Sequence, residues 1–456
     1  MQMPDFAPPA DSHKPALHED AIVAAHQHHF VRNAAYRRTV TARGVGLRLD
    51  PRDLARILRP AALTFKSYNE LIGPFPQDDP PGFLAWLQDQ ISLPLPAGRE
   101  TAFRRRYGSL ESLLCDIERI YADLGLEIVT STGTSGRASI VPRSGATVEL
   151  AVQAYFTGIR ELWGVGRGTA MVFMMPQDTR VAMARSARFG TRTLDWTADS
   201  PVYYTMSFSA TPDQMRVRAG RTFRGGVHGL VERRVLHPFM VWANGRLAEP
   251  RYIAATLARL QECAAAGRPV MLMGGLAQLH PLAAAWTNAQ RAAPVPPEPV
   301  IPSPTSMALP PGSRVATGGG IKGDYPFTPA QIRADLRRAF GGVPVSDVYG
   351  MAEANWAAFE CACGAYHIPP WVYAVVTDDD DRILEGPEAT GLLAFFDPVA
   401  GGDLIPPFFQ TADRVHLVVP GADPGLACPC GCNGAYIKGA IQRVDLTEEA
   451  GCAAQV

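Results

Sequence analysis

Between Ser109 and Phe340 short apolar runs alternate with longer stretches whose apolar residues recur at helical spacing, and this alternation constrains the fold more than any other feature of the chain. Strand-like runs fall at Glu127 to Val129, Met171 to Met175, Val270 to Met273, Arg314 to Thr317 and Val345 to Tyr349. Ser109 to Leu124 places Leu110, Leu113, Leu114, Ile117, Ile120, Tyr121 and Leu124 on one helical face and Asp116, Glu118 and Arg119 on the other. Helical patterns also occupy Ala146 to Trp163, Leu276 to Gln290 and Thr328 to Phe340, the last with Thr328 as N-cap and Gly341 just past its end. Strand and helix in turn predict an α/β fold with mainly parallel sheets flanked by helices, in which ligands bind at the carboxyl ends of the strands.

After Trp371 the texture changes to shorter strands at Val372 to Thr377, Gly391 to Phe396 and Val415 to Val419, which predicts a β-rich subdomain. Ahead of Ser109 the chain reads only as helical, with a frayed Pro-rich start and an amphipathic stretch from Ala21 to Tyr36. The proline-heavy stretch 293–312 reads as a linker or extended loop. The expected divisions are a helical N-terminal segment 1–108, an α/β core 109–370, the β-rich subdomain 371–445 and a tail 446–456.

With 456 residues, 47% of them hydrophobic, the chain has material for one large core with subdomains or for two domains. A net charge of −1 supplies no basic excess to displace counterions or attract anionic lipid, so neither nucleic acid nor membrane is an expected partner. No run of eighteen apolar residues occurs, and Asp5, Pro8 and His13 interrupt the start where a signal peptide needs an apolar stretch, which predicts a cytoplasmic protein. His26, His28 and His29 read as solvated residues on a polar helix face.

Thr130 to Ser139 reads T-S-T-G-T-S-G-R-A-S directly after a strand and ahead of the helical pattern Ala146 to Trp163, which predicts strand–loop–helix order around its glycines. Gly133 and Gly136 allow backbone N–H groups to approach an anion, and Ser131, Thr132, Thr134 and Ser135 supply hydroxyl donors, so the loop suits phosphate; the alternative is a Ser/Thr/Gly surface turn. A Walker loop would end in Gly-Lys-Ser/Thr, whereas Gly136 is followed by Arg137 and Ala138.

The pattern resembles the phosphate loop of adenylate-forming enzymes. The lysine that usually ends that loop is replaced by Ser139, as in the phenylacetate–CoA ligase and acyl-protein synthetase branches. Four further segments follow in the order of that superfamily. Gly318, Gly319 and Gly320, in T-G-G-G-I-K-G, are similar to the adenine-binding segment, and the alternative there is a helix-capping turn. Tyr349-Gly350-Met351-Ala352-Glu353 resembles Y-G-x-T-E, which implies Tyr349 stacked on adenine and Glu353 on Mg²⁺, with Ala352 lacking the usual threonine hydroxyl. Gln410 to Arg414 is similar to the segment whose aspartate accepts the ribose hydroxyls, here Asp413. Gln442-Arg443-Val444-Asp445 resembles the hinge before a mobile C-terminal domain; only eleven residues follow it, so that domain is expected to be absent or truncated.

Within the superfamily the resemblance is closest to the acyl-protein synthetase of bacterial luminescence and to phenylacetate–CoA ligases. It covers about Glu127 to Ala453 and is strongest after Val315. It implies an acyl thioester on a C-terminal cysteine, here Cys452, although Ala450 replaces an arginine nearby; the alternative is a spare thiol. Lys322 can place positive charge near the reacting carboxylate, or is a surface lysine.

Five of eight cysteines sit at Cys361, Cys363, Cys428, Cys430 and Cys432, in C-x-C spacings that point to structural Zn²⁺ held by Cys361, Cys363 or His367, Cys428 and Cys430; metal-free thiols are the alternative. The expected activity is ATP-dependent conversion of a fatty or aryl carboxylic acid to an acyl-adenylate, with transfer to Cys452 or to a partner such as an acyl reductase or carrier protein. Two rival readings are a CoA or carrier-protein ligase of the phenylacetate type and a nucleotide-binding partner subunit without turnover.

Overall fold

In the computed structural model, which describes residues 15–131, 137–193, 199–208, 210–221, 224–292, 308–320, 325–398, 401–421, 423–432 and 434–444, all five apolar runs before Gly350 are strands. In chain order the strands are β1 (Arg59–Pro60), β2 (Leu126–Thr130), β3 (Ile140–Ser144), β4 (Ala170–Pro176), β5 (Val202–Met206), β6 (Val270–Met273), β7 (Arg314–Gly318) and β8 (Val345–Gly350). Next come β9 (Ala357–Glu360), β10 (Tyr366–His367), β11 (Tyr373–Thr377), β12 (Glu388–Phe396), β13 (Phe408–Val418), β14 (Tyr436–Ile437) and β15 (Gln442–Arg443).

Thirteen of these strands form one sheet, whose main path runs β11-β12-β13-β14-β10-β9-β8-β7-β6-β4-β5. From β5 to β8 every pairing is parallel, and beyond β8 the path is antiparallel. The change of texture seen along the sequence is therefore a change of pairing direction within a continuous sheet. Crossover connections need a helix to carry the chain back, whereas hairpins do not, and this is why helical runs thin out after Phe340.

Helices cover both faces of the parallel half. Glu249–Ala265, Leu276–Ala292 and Pro329–Ala339 bury Leu260, Leu279, Trp286 and Leu336 against one face. Gly145–Glu161 and Ala182–Thr193 bury Val152, Phe156 and Ala187 against the other. The expected caps form. Thr328 and Gln331 make a reciprocal capping box, and Gly341, with φ of 79°, ends that helix in a conformation that disfavours a side chain.

Two expectations are corrected. The hydroxyl-rich loop does not lead from strand to helix: β2 pairs antiparallel with β3 in a separate two-stranded sheet, and the loop joins them. Ile140 to Ser144 carries Pro142 and Arg143, which hides its strand character, but all residues from Ile140 to Arg143 are buried. The histidines are also not a solvated row. The helix Pro15–Arg32 packs on β12 and β13 through Ile22, so His26 and His29 are buried, with His26 Nδ1 2.7 Å from Tyr36 Oη and His29 Nδ1 2.7 Å from Ser92 Oγ. Burial holds the His29 imidazole well below its usual pKa and therefore neutral. His28 is half-buried, its Nε2 3.0 Å from the Asp403 carbonyl.

Candidate functional site

The carboxyl ends of the parallel strands run into glycines. β7 ends at Gly318 and continues into Gly319 and Gly320, whose φ values of 79° and 62° are open to glycine at little cost. Beside it β8 ends at Gly350, with Gly318 in register with Val348. A Cβ on Gly318 would sit 3.4 Å from the Val348 carbonyl oxygen, an ordinary contact, so the backbone freedom of glycine matters at Gly319 and Gly320 rather than at Gly318.

Tyr349 leaves β8 with its hydroxyl donating to Asp413 Oδ2 at 2.8 Å. Burial first, then the Asp413 carboxylate, raise the Tyr349 phenol well above its usual range, so it stays a donor. Asp413 lies mid-strand in β13, in register with Arg443 of β15, and its Oδ1 accepts from Arg443 Nη1 at 3.1 Å. Each carboxylate oxygen retains lone-pair capacity, so Asp413 can still accept two hydroxyl donors from a ligand. Arg443 thereby orients the aspartate.

Glu353 is buried, 9% exposed, three residues beyond the end of β8. Arg143, on the strand after the hydroxyl-rich loop, donates from Nη2 to the carbonyls of Ala352 (2.9 Å) and Ala354 (3.0 Å) and so brackets Glu353. Burial pushes the Arg143 guanidinium down to about 10, against the pull of Asp397 and Glu353, so it remains charged at neutral pH. Met351 lies half-buried in the same turn.

Lys66, which motif reasoning missed, belongs with this group. Burial lowers its pKa, Glu353 draws it back up, and Arg443 and Arg137 lower it further. That set of influences places one ammonium within electrostatic reach of Glu353, the hinge-like segment and the end of the hydroxyl-rich loop. Among the described residues its amine makes no hydrogen bond. Composition held a signal: of 43 Lys and Arg residues only Lys14, Lys66, Lys322 and Lys438 are lysines, so the chain offers few ammonium groups to weigh as site residues.

Ser131 is used locally. Its Oγ accepts from Ser139 N at 2.9 Å and its own N–H reaches the Ser139 carbonyl at 3.1 Å, closing the base of the loop. Thr132, Gly133, Thr134, Ser135 and Gly136, like Lys322 and Cys452, lie outside the described residues. Phe173, Met273 and Phe359 share one apolar cluster behind the strand ends, with Tyr155 5.1 Å from Phe359 between ring centroids. A separate cavity of about 840 Å³, against β5 and lined by Tyr203, Phe208, Met215, Phe239 and Arg251, includes none of these residues.

Away from the strand ends, Cys361, His367, Cys428 and Cys430 bring their ligand atoms within 4.8 Å of one another. Cys361 Sγ is 3.8 Å from Cys428 Sγ, and Cys430 Sγ is 3.2 Å from His367 Nε2. Burial pushes His367 down to about 4, so its ring is neutral. Cys363, expected as an alternative to His367, is exposed and outside the group. The turn that follows Cys361 closes with Gly364 N–H on the Cys361 carbonyl at 3.0 Å, leaving Cys363 exposed at its crest, while β10 brings His367 in against β14.

No family model and no curated protein matches the sequence. Solved structures do. An open conformation of 2-hydroxyisobutyryl-CoA ligase in complex with 2-HIB-AMP and CoA is 13% identical, with a TM-score of 0.55 over 98% of this chain and 81% of that one. The same ligase in the thioesterification state is also 13% identical, with a TM-score of 0.55 over 98% and 74%. In the postadenylation state it is 12% identical, with a TM-score of 0.51 over 98% and 74%. At this identity the likeness shows the fold alone: a mixed α/β architecture with a large parallel-rich sheet, shared with that ligase. No helix among the described residues is long and apolar enough to cross a membrane.

Proposed function

We propose that this chain activates a fatty or aryl carboxylic acid with ATP and hands the acyl group to a thiol. The observation that carries the reading is the convergence of Glu353, Lys66, Tyr349, Asp413 and Arg443 at the carboxyl ends of β7 and β8, beside the end of the hydroxyl-rich loop. Two buried carboxylates, Glu353 and Asp413, stand among Lys66, Arg137 and Arg443, a balance that suits a nucleotide with its metal: Glu353 is a hard oxygen ligand fit for Mg²⁺, which when bound neutralises phosphate charge. Asp413 would take the ribose hydroxyls and Tyr349 the adenine face, while Lys66 and Arg137 attract the phosphates.

The substrate carboxylate oxygen attacks the α-phosphorus as the bond to the bridging β-phosphate oxygen breaks, so pyrophosphate leaves with the electron pair and acyl-AMP remains. A thiolate sulfur then attacks the acyl carbon, the bond to AMP breaks, and a thioester forms. Positioning and charge stabilisation supply the rate in the first step. Cys452 is the acceptor implied by the resemblance to acyl-protein synthetases, with an acyl reductase or carrier protein as onward partner. A second acceptor, CoA, is favoured by the 2-hydroxyisobutyryl-CoA ligase complexes, which contain CoA and share the fold.

ATP–pyrophosphate exchange with a panel of fatty and aryl acids tests the activation step. Exchange with at least one acid is expected; measurable ATP binding with no exchange for any acid favours a nucleotide-binding subunit instead. Intact mass after incubation with ATP and the active acid separates the acceptors. An adduct abolished by Cys452→Ala supports self-acylation, and product that forms only with added CoA supports the ligase.

A further inference from the structure

The two cysteine turns share a pattern that spacing alone does not reveal. Cys361-Ala362-Cys363-Gly364 and Cys428-Pro429-Cys430-Gly431 both read C-x-C-G. In each, the glycine N–H returns to the carbonyl of the first cysteine, at 3.0 Å for Gly364 and 2.9 Å for Gly431. In each the glycine adopts a positive φ, 77° and 90°. They are two copies of one knuckle, sixty-seven residues apart, facing each other across β10 and β14.

Matched knuckles would lead one to expect four thiolates, yet the structure breaks the symmetry. Cys361, Cys428 and Cys430 converge, and His367 Nε2 stands where Cys363 would be expected. A tetrahedral zinc with Zn–S bonds of about 2.3 Å places two thiolate sulfurs about 3.8 Å apart, and Cys361 Sγ and Cys428 Sγ are separated by 3.8 Å. Three thiolates and one imidazole complete the soft donor set that zinc prefers, with no position open to substrate.

We propose that Cys361, His367, Cys428 and Cys430 form a closed structural zinc site, one per chain, that clamps the turn 428–432 onto β9 and β10, with Cys363 and Cys432 outside it. The surrounding structure needs such a clamp. β10 and β14 are two residues each, and the apolar cluster beneath them comprises Cys361, Ala365, Val418, Cys428 and Tyr436, two of which are ligands. With so little apolar burial, metal coordination supplies the cohesion that packing does not. Binding releases the thiol protons of the three cysteines as their sulfurs bond the metal.

The test is metal content of the full chain purified without chelator, read by elemental analysis and by zinc released on thiol modification. One zinc per chain is expected, with Cys363→Ser and Cys432→Ser unchanged and Cys428→Ser and His367→Ala reduced at least fivefold. Cobalt exchanged into the wild-type chain should give the intense visible bands of a tetrahedral thiolate site. Because the ligand variants can misfold, the wild-type stoichiometry, the cobalt spectrum and the two non-ligand variants decide. No zinc in the chain as purified and none taken up on zinc addition overturns the site. Loss of metal in Cys363→Ser with retention in His367→Ala overturns the ligand assignment.

Discussion

The cysteine–histidine cluster and the strand-end site are built in opposite ways. The cluster takes its ligands from two short turns and an adjacent two-residue strand, all between Cys361 and Cys430. The strand-end site draws on Lys66, the hydroxyl-rich loop, the ends of β7 and β8, Asp413 and Arg443, spread across most of the chain. A cluster of local turns holds one region together, whereas a site assembled from distant strand ends depends on the whole sheet and can devote its side chains to a ligand. Substitutions in the first should therefore cost stability and substitutions in the second should cost chemistry.

The sharpest way to break that contrast is Glu353→Gln, which keeps shape and removes the charge. Pyrophosphate exchange should fall on the order of 100- to 1000-fold, the range for losing a preorganised charge-stabilising group, with Tm little changed because Arg143 still holds the carbonyls of Ala352 and Ala354. A large drop in Tm with a small drop in exchange would place Glu353 among structural residues.

Lys66→Met should lower exchange about 30-fold, as for loss of one charge-assisted contact at about 2 kcal/mol. A pH profile adds the sign. Burial lowers the Lys66 pKa from 10.5, so the folded chain sheds this proton at lower pH than the unfolded chain. Activity that needs the ammonium should decline on the alkaline side below the ordinary lysine range, and this group's contribution to stability should rise with pH over that window. Lys66→Arg should shift the alkaline limb upward; an unmoved limb removes Lys66 from the chemistry.

Asp413→Asn should raise the KM for ATP about tenfold, the low end of losing charge-assisted hydrogen bonds, with a smaller effect on kcat; an equal loss in both would argue against a ribose contact. His367→Ala is the opposite case. Exchange per folded molecule should change about twofold or less at low temperature, while Tm falls by several degrees, as for a loss of about 2–4 kcal/mol in a chain of this size. If His367→Ala abolished exchange without shifting Tm, the division between clamp and site would fail.

Much of this arrangement was legible along the chain. The parallel strands β4, β6, β7 and β8 and the helix capped by Thr328 follow from periodicity and local chemistry, which a sequence displays directly, whereas the order of the glycine, tyrosine and aspartate segments was read from a family resemblance. Three features were not. β3 carries a proline and an arginine where a strand pattern would alternate, because its Arg143 is buried for its hydrogen bonds to the loop that holds Glu353. His26 and His29 share a helix face that is polar by composition yet buried, because inside the fold the Tyr36 hydroxyl and Gly46 carbonyl meet the His26 ring and the Ser92 hydroxyl meets His29 Nδ1. Lys66 stands outside every motif, since its surroundings come from segments far away in the chain.

The sequence by itself determined most of the stretches that become strand or helix, the turn that needs Gly341, and which residue types are available for phosphate and metal, because each of these depends on neighbours a few positions away. Only the tertiary structure decided that His367 rather than Cys363 joins the three cysteines, that Arg443 orients Asp413, and that Lys66 lies within electrostatic reach of Glu353. Those outcomes depend on the register of paired strands and on what packs above them, and neither quantity is written in any local pattern.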